Sequence, residues 1–442
     1  MHTTLPTPQT RVPMSRIYLF ALIELAALGA LVTPLVVTLS LKVLQLVPET
    51  EKEGALGLVT ALGALAALVA NPIFGHLSDR TRSRFGRRRP WLIGGVVGGI
   101  LAAVLIAVAP NIPVLVVAWV LSQAAYNATL ASLSALLADQ VPEEQRAKAS
   151  GIFGAIGFLG MVPAMLVAAL FASNLTVVVL AMPIVAVIIV AIVCVFIPDP
   201  RVERADASRG SILQVFRAFL FNPFRAPMFS LVWIQRATMQ LGYTVVSTFG
   251  LFYLMVRLGM DQVSAASLTS TATLAGAGLN FVAAFACGYL ASRRGDYGPF
   301  VIGSALIMAL SLLLKAFTQD VSVFWVSTLL AGFALGAYYA VDLALAMRTL
   351  PAGEEGKYLG IFNMAKTLPQ SIAPAVAPFV VLIGGSDPIV GGDKNYTALY
   401  IVAAAAVLAS LLTLPGLRRV LRRDAYEASR SAAAAPEKEE VA

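Results

Sequence analysis

Residues 75–90 read GHLSDRTRSRFGRRRP, and six of these 16 residues are arginine. Two apolar stretches flank them, LGLVTALGALAALVANPIF at 56–74 and WLIGGVVGGILAAVLIAVA at 91–109. Each is about long enough for a bilayer-spanning helix, which takes roughly 20 apolar residues. Arginine and lysine concentrate in the cytoplasmic loops of membrane proteins. The segment therefore predicts a cytoplasmic loop between two membrane helices.

The composition of the whole chain also indicates a membrane protein. Of its 442 residues, 58% are hydrophobic and 13% are charged, whereas a soluble domain has about 25% charged residues. The net charge of +8 then reflects loop topology, and we expect no nucleic-acid partner. The two cysteines, Cys194 and Cys287, lie in apolar runs and are expected to be small buried hydrophobes rather than a disulfide pair.

Apolar segments of spanning length recur along the chain, so the sequence predicts an all-α integral membrane protein with twelve transmembrane helices. Residues 1–16 are too polar for the core of a signal peptide, and the run after them is expected to be the first helix. The predicted spans are 17–43, 55–74, 91–109, 112–138, 149–171, 175–197, 227–257, 263–290, 300–317, 323–349, 358–383 and 397–415.

Loop charges predict the orientation of these spans. With a cytoplasmic N-terminus, nearly all Lys and Arg residues fall in cytoplasmic segments. The opposite loops, such as VPETEKEG at 47–54 and GGSDPIVGGDKN at 384–395, are acidic or neutral. We therefore expect a multi-pass protein of the cell membrane with both termini in the cytoplasm.

The chain contains an internal repeat. PWLIGG at 90–95 matches PFVIGS at 299–304, and PEEQRAKASGIF at 142–153 matches PAGEEGKYLGIF at 351–362, both 209 residues later. GHLSDR at 75–80 matches GYLASR at 288–293. The spans are thus expected to form two pseudo-symmetric six-helix bundles, as transporters often do. The predicted domains are bundles at 1–197 and 227–417, a cytoplasmic linker at 198–226 and a cytoplasmic tail at 418–442.

The arginine-rich loop is also a candidate gate. Asp79 is expected to accept hydrogen bonds near a neighbouring helix end, and Arg80 and Arg87 to pair with acidic groups of the other half. Gly75 would allow close backbone contact, and Arg293 closes the matching motif of the second repeat. The alternative is that the loop only anchors the protein on anionic lipid.

The wording NPIFGHLSDRTRSRFGRRRPW, together with SALLADQVPEEQRAKASG, resembles the major facilitator superfamily, and within it the sucrose-transporter-like members near the glycoside–pentoside–hexuronide:cation symporters. The resemblance implies alternating access around a central cavity, with a sugar or glycoside carried together with a cation, usually a proton. Sucrose carriers have an Asp in helix 4 where this chain has Gln123, followed four residues later by Asn127. Gln123 takes up no proton, so coupling by that route is not expected.

Ionisable residues inside predicted spans are candidate coupling sites, because a charge at mid-membrane costs about 2.5–3.5 kcal/mol on insertion scales. The repeat places Glu24 of helix 1 opposite Arg236 of helix 7, where they are predicted to form either a fixed bridge or a protonation switch. Asp342 of helix 10 and Lys366 of helix 11 are predicted to pair, and Asp342 is a second candidate for cation coupling.

Polar and aromatic residues in the spans predict the kind of solute. Amides hydrogen-bond to hydroxyls, and aromatic rings pack on the apolar faces of sugars. The alternative role for these amides is to join helices. The candidate solute-binding residues are Gln123, Tyr126, Asn127, Arg236, Gln240 and Tyr243.

The sequence does not suggest an enzyme. His2 lies in the polar start and His76 in the loop motif, and we found no phosphate-binding loop, metal cluster or nucleophile motif. We expect no cofactor and no metal. The prediction is a monomeric secondary transporter for a small solute. The alternatives are a drug or metabolite efflux antiporter, although GAIGFLGMVPAM at 154–165 lacks that group's Gly-Pro pair, and a non-transporting membrane sensor.

Overall fold

The computed structural model describes residues 12–142, 145, 149, 152, 153, 156, 157, 159–197, 223–351 and 355–422. Regular secondary structure in this part of the chain is helical, beside one isolated bridge between Asp296 and Arg422. The helices are α1 (Met14–Thr33), α2 (Leu39–Leu46), α3 (Lys52–Arg80), α4 (Arg89–Val108), α5 (Ile112–Gln140), α6 (Met161–Leu170), α7 (Leu175–Phe196), α8 (Pro227–Arg257), α9 (Gln262–Arg294), α10 (Gly298–Phe317), α11 (Val321–Met347), α12 (Glu355–Val380), α13 (Tyr396–Ala409) and α14 (Leu414–Leu421).

Ten helical segments of the described chain are long and apolar enough to cross a membrane, and they coincide with ten of the twelve predicted spans. A π-helical turn, Pro34–Thr38, joins α1 to α2 within the first segment. The predicted span 149–171 is described only in part and includes α6. The predicted span 358–383 coincides with α12, which is 26 residues long and contains three prolines.

The described chain divides into two compact units. Unit 1 comprises residues 1–38 and 66–212, and unit 2 comprises residues 39–65 and 213–442. The predicted domain boundaries stay predictions, since 198–222 and 423–442 lie outside the described residues.

Small residues set the helix packing in unit 1. A Cβ atom at Gly95 of α4 would collide with Thr129 of α5, and one at Gly99 would lie 2.5 Å from the ring of Tyr126. A Cβ at Gly160 would collide with the carbonyl of Leu25 on α1. Because membrane helices gain little from the hydrophobic effect, such close backbone contact is a main source of their association.

Glycines also allow close helix packing in unit 2. In α11, Gly332 packs on the carbonyl of Gly276 and Gly336 on that of Asn280, both in α9. The segment 39–65 belongs to this unit because Gly57 packs on the carbonyl of Pro374 in α12. Glu53 adds a hydrogen bond at 2.9 Å from the hydroxyl of Tyr396.

Two aspartates begin helices of unit 2 outside the spanning segments. Asp261 accepts from the backbone of Val263 and Ser264 before α9, and Asp320 from that of Ser322 before α11. These hydrogen bonds lower the pKa of both carboxyls, mainly through Ser264 and Ser322 respectively.

Candidate functional site

Arg88 is the centre of the charged cluster in unit 1. It is only 2% exposed, although it lies in the arginine-rich loop. Its Nη2 lies 2.7 Å from Asp79 Oδ1 and 2.9 Å from Asp139 Oδ2, and its Nη1 donates to Ser78 Oγ at 2.7 Å. One guanidinium therefore connects the end of α3 with the end of α5.

The neighbouring loop residues are fixed in place as well. Arg87 donates to Asp79 Oδ1 at 2.9 Å. Arg89 donates to the carbonyl of Ile197, which caps α7. Trp91 Nε1 donates to Thr81 Oγ1 at 2.6 Å. The loop is thus a structured element of unit 1, which its charge alone did not predict.

The structure describes the contacts of this motif within unit 1, and the predicted pairing of Arg80 and Arg87 with acidic groups of the other half stays a prediction. A Cβ at Gly75 would meet no described atom within 4 Å, so close backbone contact does not explain this glycine. Arg87 pairs with Asp79 of its own repeat, and the central cation is Arg88, which the sequence argument did not single out. Arg80 is exposed, and Arg293 lies over the ring of Tyr289 at 4.8 Å.

The second repeat has a different contact at the equivalent positions. Tyr297 lies 209 residues after Arg88, and Arg348 lies 209 residues after Asp139, which is the spacing of the repeat. The guanidinium of Arg348 lies 4.1 Å from the ring centroid of Tyr297 and donates to the carbonyl of Val420 at 2.8 Å. The contact between these two positions is present in both repeats, but its chemistry has changed from an ion pair to a cation–π contact.

Replacing Asp79 by Asn is expected to reduce transport while leaving the fold almost unchanged. Asp79 is 52% exposed, and exposed ion pairs contribute about 0.2–1 kcal/mol. Transport in proteoliposomes and thermal unfolding would be compared with Arg82→Gln, an exposed residue of the same loop. Full transport by Asp79→Asn would contradict a gating role for this carboxylate.

The polar centre of unit 2 is an ion pair between Arg236 of α8 and Asp342 of α11. Their side chains are 11% and 3% exposed. The guanidinium lies 4.0 Å from the ring centroid of Phe362 and 5.9 Å from that of Tyr339. Lys366 adds a second positive charge that acts on Asp342, and the predicted pairing of these two residues stays a prediction. Among the described residues, Arg236 Nε has no hydrogen-bond partner.

Two further predicted residues belong to the same region. Gln240, one turn after Arg236, accepts a hydrogen bond at 2.7 Å from the hydroxyl of Tyr339. Tyr243 is half-buried on α8, three residues after Gln240. Arg236, Gln240 and Asp342 therefore belong to one connected polar group, which Tyr339 completes.

The polar residues of α5 form a smaller group in unit 1. Asn127 Nδ2 donates to the carbonyl of Gln123 at 2.8 Å, and Asn71 of α3 donates to Asn127 Oδ1 at 3.3 Å. Tyr126 differs from the prediction: it is fully buried and its ring packs on Gly99 of α4. This position favours a packing role for Tyr126 over contact with a solute.

Glu24 lies on α1 beside Gly157, where a Cβ would approach its Cγ to 2.5 Å. The absence of a side chain at Gly157 thus makes room for this carboxylate inside unit 1. The charged partner of Arg236 in the described structure is Asp342. The predicted pair of Glu24 with Arg236 joins residues of different units and stays a prediction.

A second buried charge cluster in unit 2 was missed from the sequence. Arg257 Nη2 lies 2.9 Å from Asp387 Oδ2, and both side chains are wholly buried. The same nitrogen donates to Thr397 Oγ1 at 2.6 Å. Lys315 is buried on α10, next to Ala316, whose carbonyl accepts from Arg257, and it donates to Thr328 Oγ1 at 2.7 Å. The sequence signal was weak, because Asp387 stands in a Gly-rich stretch that was predicted to be an exposed loop.

A family model described as the Major Facilitator Superfamily matches residues 17–374 and 279–437. The chain belongs to the major facilitator superfamily. It is therefore a multi-pass membrane transporter and not an enzyme, with the all-α, two-bundle fold of that superfamily. The resemblance stated from the loop motif is confirmed.

Relatives of this superfamily member cover different shares of it. A Synechocystis protein named an uncharacterized symporter is 51% identical over 41 residues, only 9% of this chain and 8% of that relative. A class G tetracycline resistance protein of Vibrio anguillarum is 25% identical over 434 residues, 92% of this chain and 97% of the relative. A sucrose transport protein of Arabidopsis thaliana is 34% identical over 100 residues, 19% of this chain and 20% of the relative.

Solved structures of other transporters share the fold. A variant of a nucleoside transporter superposes with a TM-score of 0.70 at 14% identity, covering 91% of this chain and 99% of that one. A D-xylose–proton symporter superposes with a TM-score of 0.66 at 17% identity, covering 90% and 97%. At these identities the likeness establishes the fold alone.

Proposed function

We propose that this transporter moves a small uncharged polar solute, a sugar or glycoside, into the cell and couples its uptake to a proton or another cation. The observation that carries the proposal is the buried polar group of unit 2, in which the guanidinium of the Arg236–Asp342 pair lies near the rings of Phe362 and Tyr339, and Tyr339 donates to the amide of Gln240. We further propose that the protein lies in the cytoplasmic membrane with both termini inside and acts as a monomer.

The chemistry of this group suits a sugar. A sugar presents hydroxyl groups at its edges and apolar C–H faces, and Gln240, Tyr339 and Phe362 offer both kinds of partner. An anionic solute would have to compete with Asp342 for Arg236, at the cost of leaving a buried carboxylate unpaired. The sucrose transport relative agrees with this solute class.

Cation coupling is assigned to Asp342. Protonation of this buried carboxylate would remove its attraction to Arg236 and so change the pairing in the polar group. Glu24 is the second candidate, since it is an acidic side chain on α1 with its Oε2 buried. We also propose that Gln123 and Asn127 contact the solute from unit 1, where Asn71 holds the Asn127 side chain.

Efflux is the second candidate function. The observation in its favour is the tetracycline resistance relative, because that match extends over 92% of the chain. The absence of a Gly-Pro pair in 154–165 weighs against it.

The test is a solute panel with the purified protein in proteoliposomes. Labelled disaccharides, glycosides and nucleosides would be offered with and without an inwardly directed proton gradient, and tetracycline extrusion measured in parallel. We expect accumulation of a sugar or glycoside that collapses when an ionophore removes the gradient. Extrusion of tetracycline without accumulation of any sugar would contradict the proposal and favour efflux.

A further inference from the structure

An open groove runs along unit 1 between α4 and α7. Its volume is about 350 Å³, within the range of roughly 300–1,000 Å³ that is usual for small-molecule sites. The walls are mostly aliphatic, with Ile93, Val97 and Val190 among the lining residues. Ile93 and Val97 are exposed at the groove, whereas Val190 forms its buried floor. An apolar channel of this kind fits a hydrocarbon chain.

The end of the groove is aromatic and cationic. Phe85 and Arg89 of the arginine-rich loop lie there. Phe85 is 60% exposed, and the guanidinium of the exposed Arg84 lies 4.8 Å from its ring centroid. Arg89 is the first residue of α4, so the positive end of that helix dipole coincides with the same end of the groove.

This combination defines one kind of occupant. An acyl chain matches the aliphatic walls, and a phosphate matches two arginines and a helix N-terminus. Aromatic residues such as Phe85 are suited to the boundary between hydrocarbon and headgroups. We propose that this groove binds an anionic glycerophospholipid, with one acyl chain between α4 and α7 and its phosphate at Arg84 and Arg89.

Cys194 gives a direct measurement of occupancy, because its side chain lines the groove. The other cysteine, Cys287, lies on α9 of unit 2 and is an internal reference in the same sample. The detergent-purified full chain would be exposed to a membrane-permeant maleimide in the presence of increasing phosphatidylglycerol or phosphatidylcholine. Peptide mass spectrometry would give the modification rate at each cysteine.

We expect phosphatidylglycerol to slow modification of Cys194 but not of Cys287, at concentrations where phosphatidylcholine has little effect. An arginine strengthens the binding of an anionic lipid headgroup. Arg84→Gln should therefore raise the phosphatidylglycerol concentration that gives half-maximal protection of Cys194 about fivefold. Arg82→Gln, an exposed change in the same loop, should leave it unchanged.

Two results would overturn the proposal. Equal protection by both lipids, or equal effects of Arg84→Gln and Arg82→Gln, would mean that the groove does not select a headgroup. Unchanged modification of Cys194 with either lipid would mean that it holds no lipid. As an independent measurement, Ala191→Phe places a large ring in the groove, and it should abolish any thermal stabilisation by phosphatidylglycerol. Persistence of that stabilisation in the variant would place the lipid elsewhere.

Discussion

Asp342→Asn is expected to lower sugar accumulation by roughly two orders of magnitude, the equivalent of about 3 kcal/mol. The change leaves the buried Arg236 without its carboxylate partner and removes the group that would carry the proton. Uptake into proteoliposomes with an imposed proton gradient would measure the loss. Tyr339→Phe is the matched control, because it keeps the ring beside Arg236 and removes only the hydrogen bond to Gln240.

The double variant Arg236→Gln with Asp342→Asn separates a structural role from a coupling role. It removes both buried charges together, so the free energy of unfolding should recover toward that of the parent, because no charge is left unpaired. Proton-driven accumulation should not recover. A double variant that accumulates sugar in response to the gradient as the parent does would show that the pair is structural only.

Tyr339→Phe should weaken solute affinity by about fivefold, the effect of one hydrogen bond near 1 kcal/mol.

Arg257→Met is expected to destabilise the protein by about 3–5 kcal/mol. Asp387 is wholly buried and would lose its ionic partner, and the carbonyl of Ala316 would lose a donor. Thermal unfolding of the detergent-purified protein would measure the change. Because Arg257 is at the end of α8 and outside the proposed solute-binding group, the properly folded fraction should retain the parent's solute affinity.

Lys394→Met supplies the control for this prediction. Lys394 lies 3.8 Å from Glu53, which is 1% exposed but keeps its hydrogen bond from Tyr396, so the loss of this longer contact should cost less than the loss of Arg257. Combining Arg257→Met with Asp387→Leu should recover part of the stability, since two apolar side chains replace a buried pair. Equal, small effects of Arg257→Met and Lys394→Met would contradict the importance of the buried pair.

Helix content and span positions were predictable, because bilayer thickness fixes the length of an apolar run. Ten of the predicted spans coincide with spanning helices of the described chain. The family was predictable from the loop motif for a different reason: those residues form one connected cluster of unit 1, in which Arg88 binds Asp79 and Asp139.

Partner choice among buried charges was not predictable. The sequence did not predict Asp342 as a partner of Arg236, because the rotation of each helix about its axis decides which charges meet; the pairing of Glu24 with Arg236 stays a prediction. Glu53 and Asp387 stood in segments predicted to be loops on the side opposite the cytoplasm, and the structure shows Glu53 1% exposed and Asp387 wholly buried. Glu53 accepts a hydrogen bond from Tyr396, and Asp387 accepts one from Arg257. These partners are distant in sequence, so no local sequence pattern predicts the contacts.

The replacement of Arg88 and Asp139 by Tyr297 and Arg348 makes the two repeats unequal in their sensitivity to solution conditions. Asp139 is 44% exposed, so concentrated salt screens its attraction to Arg88. Arg348 instead lies over the ring of Tyr297 and donates to the carbonyls of Val420 and Leu421 at the end of α14. These contacts involve no carboxylate and depend less on salt. The contact in the first repeat should therefore weaken in concentrated salt, whereas the equivalent contact in the second repeat should change less.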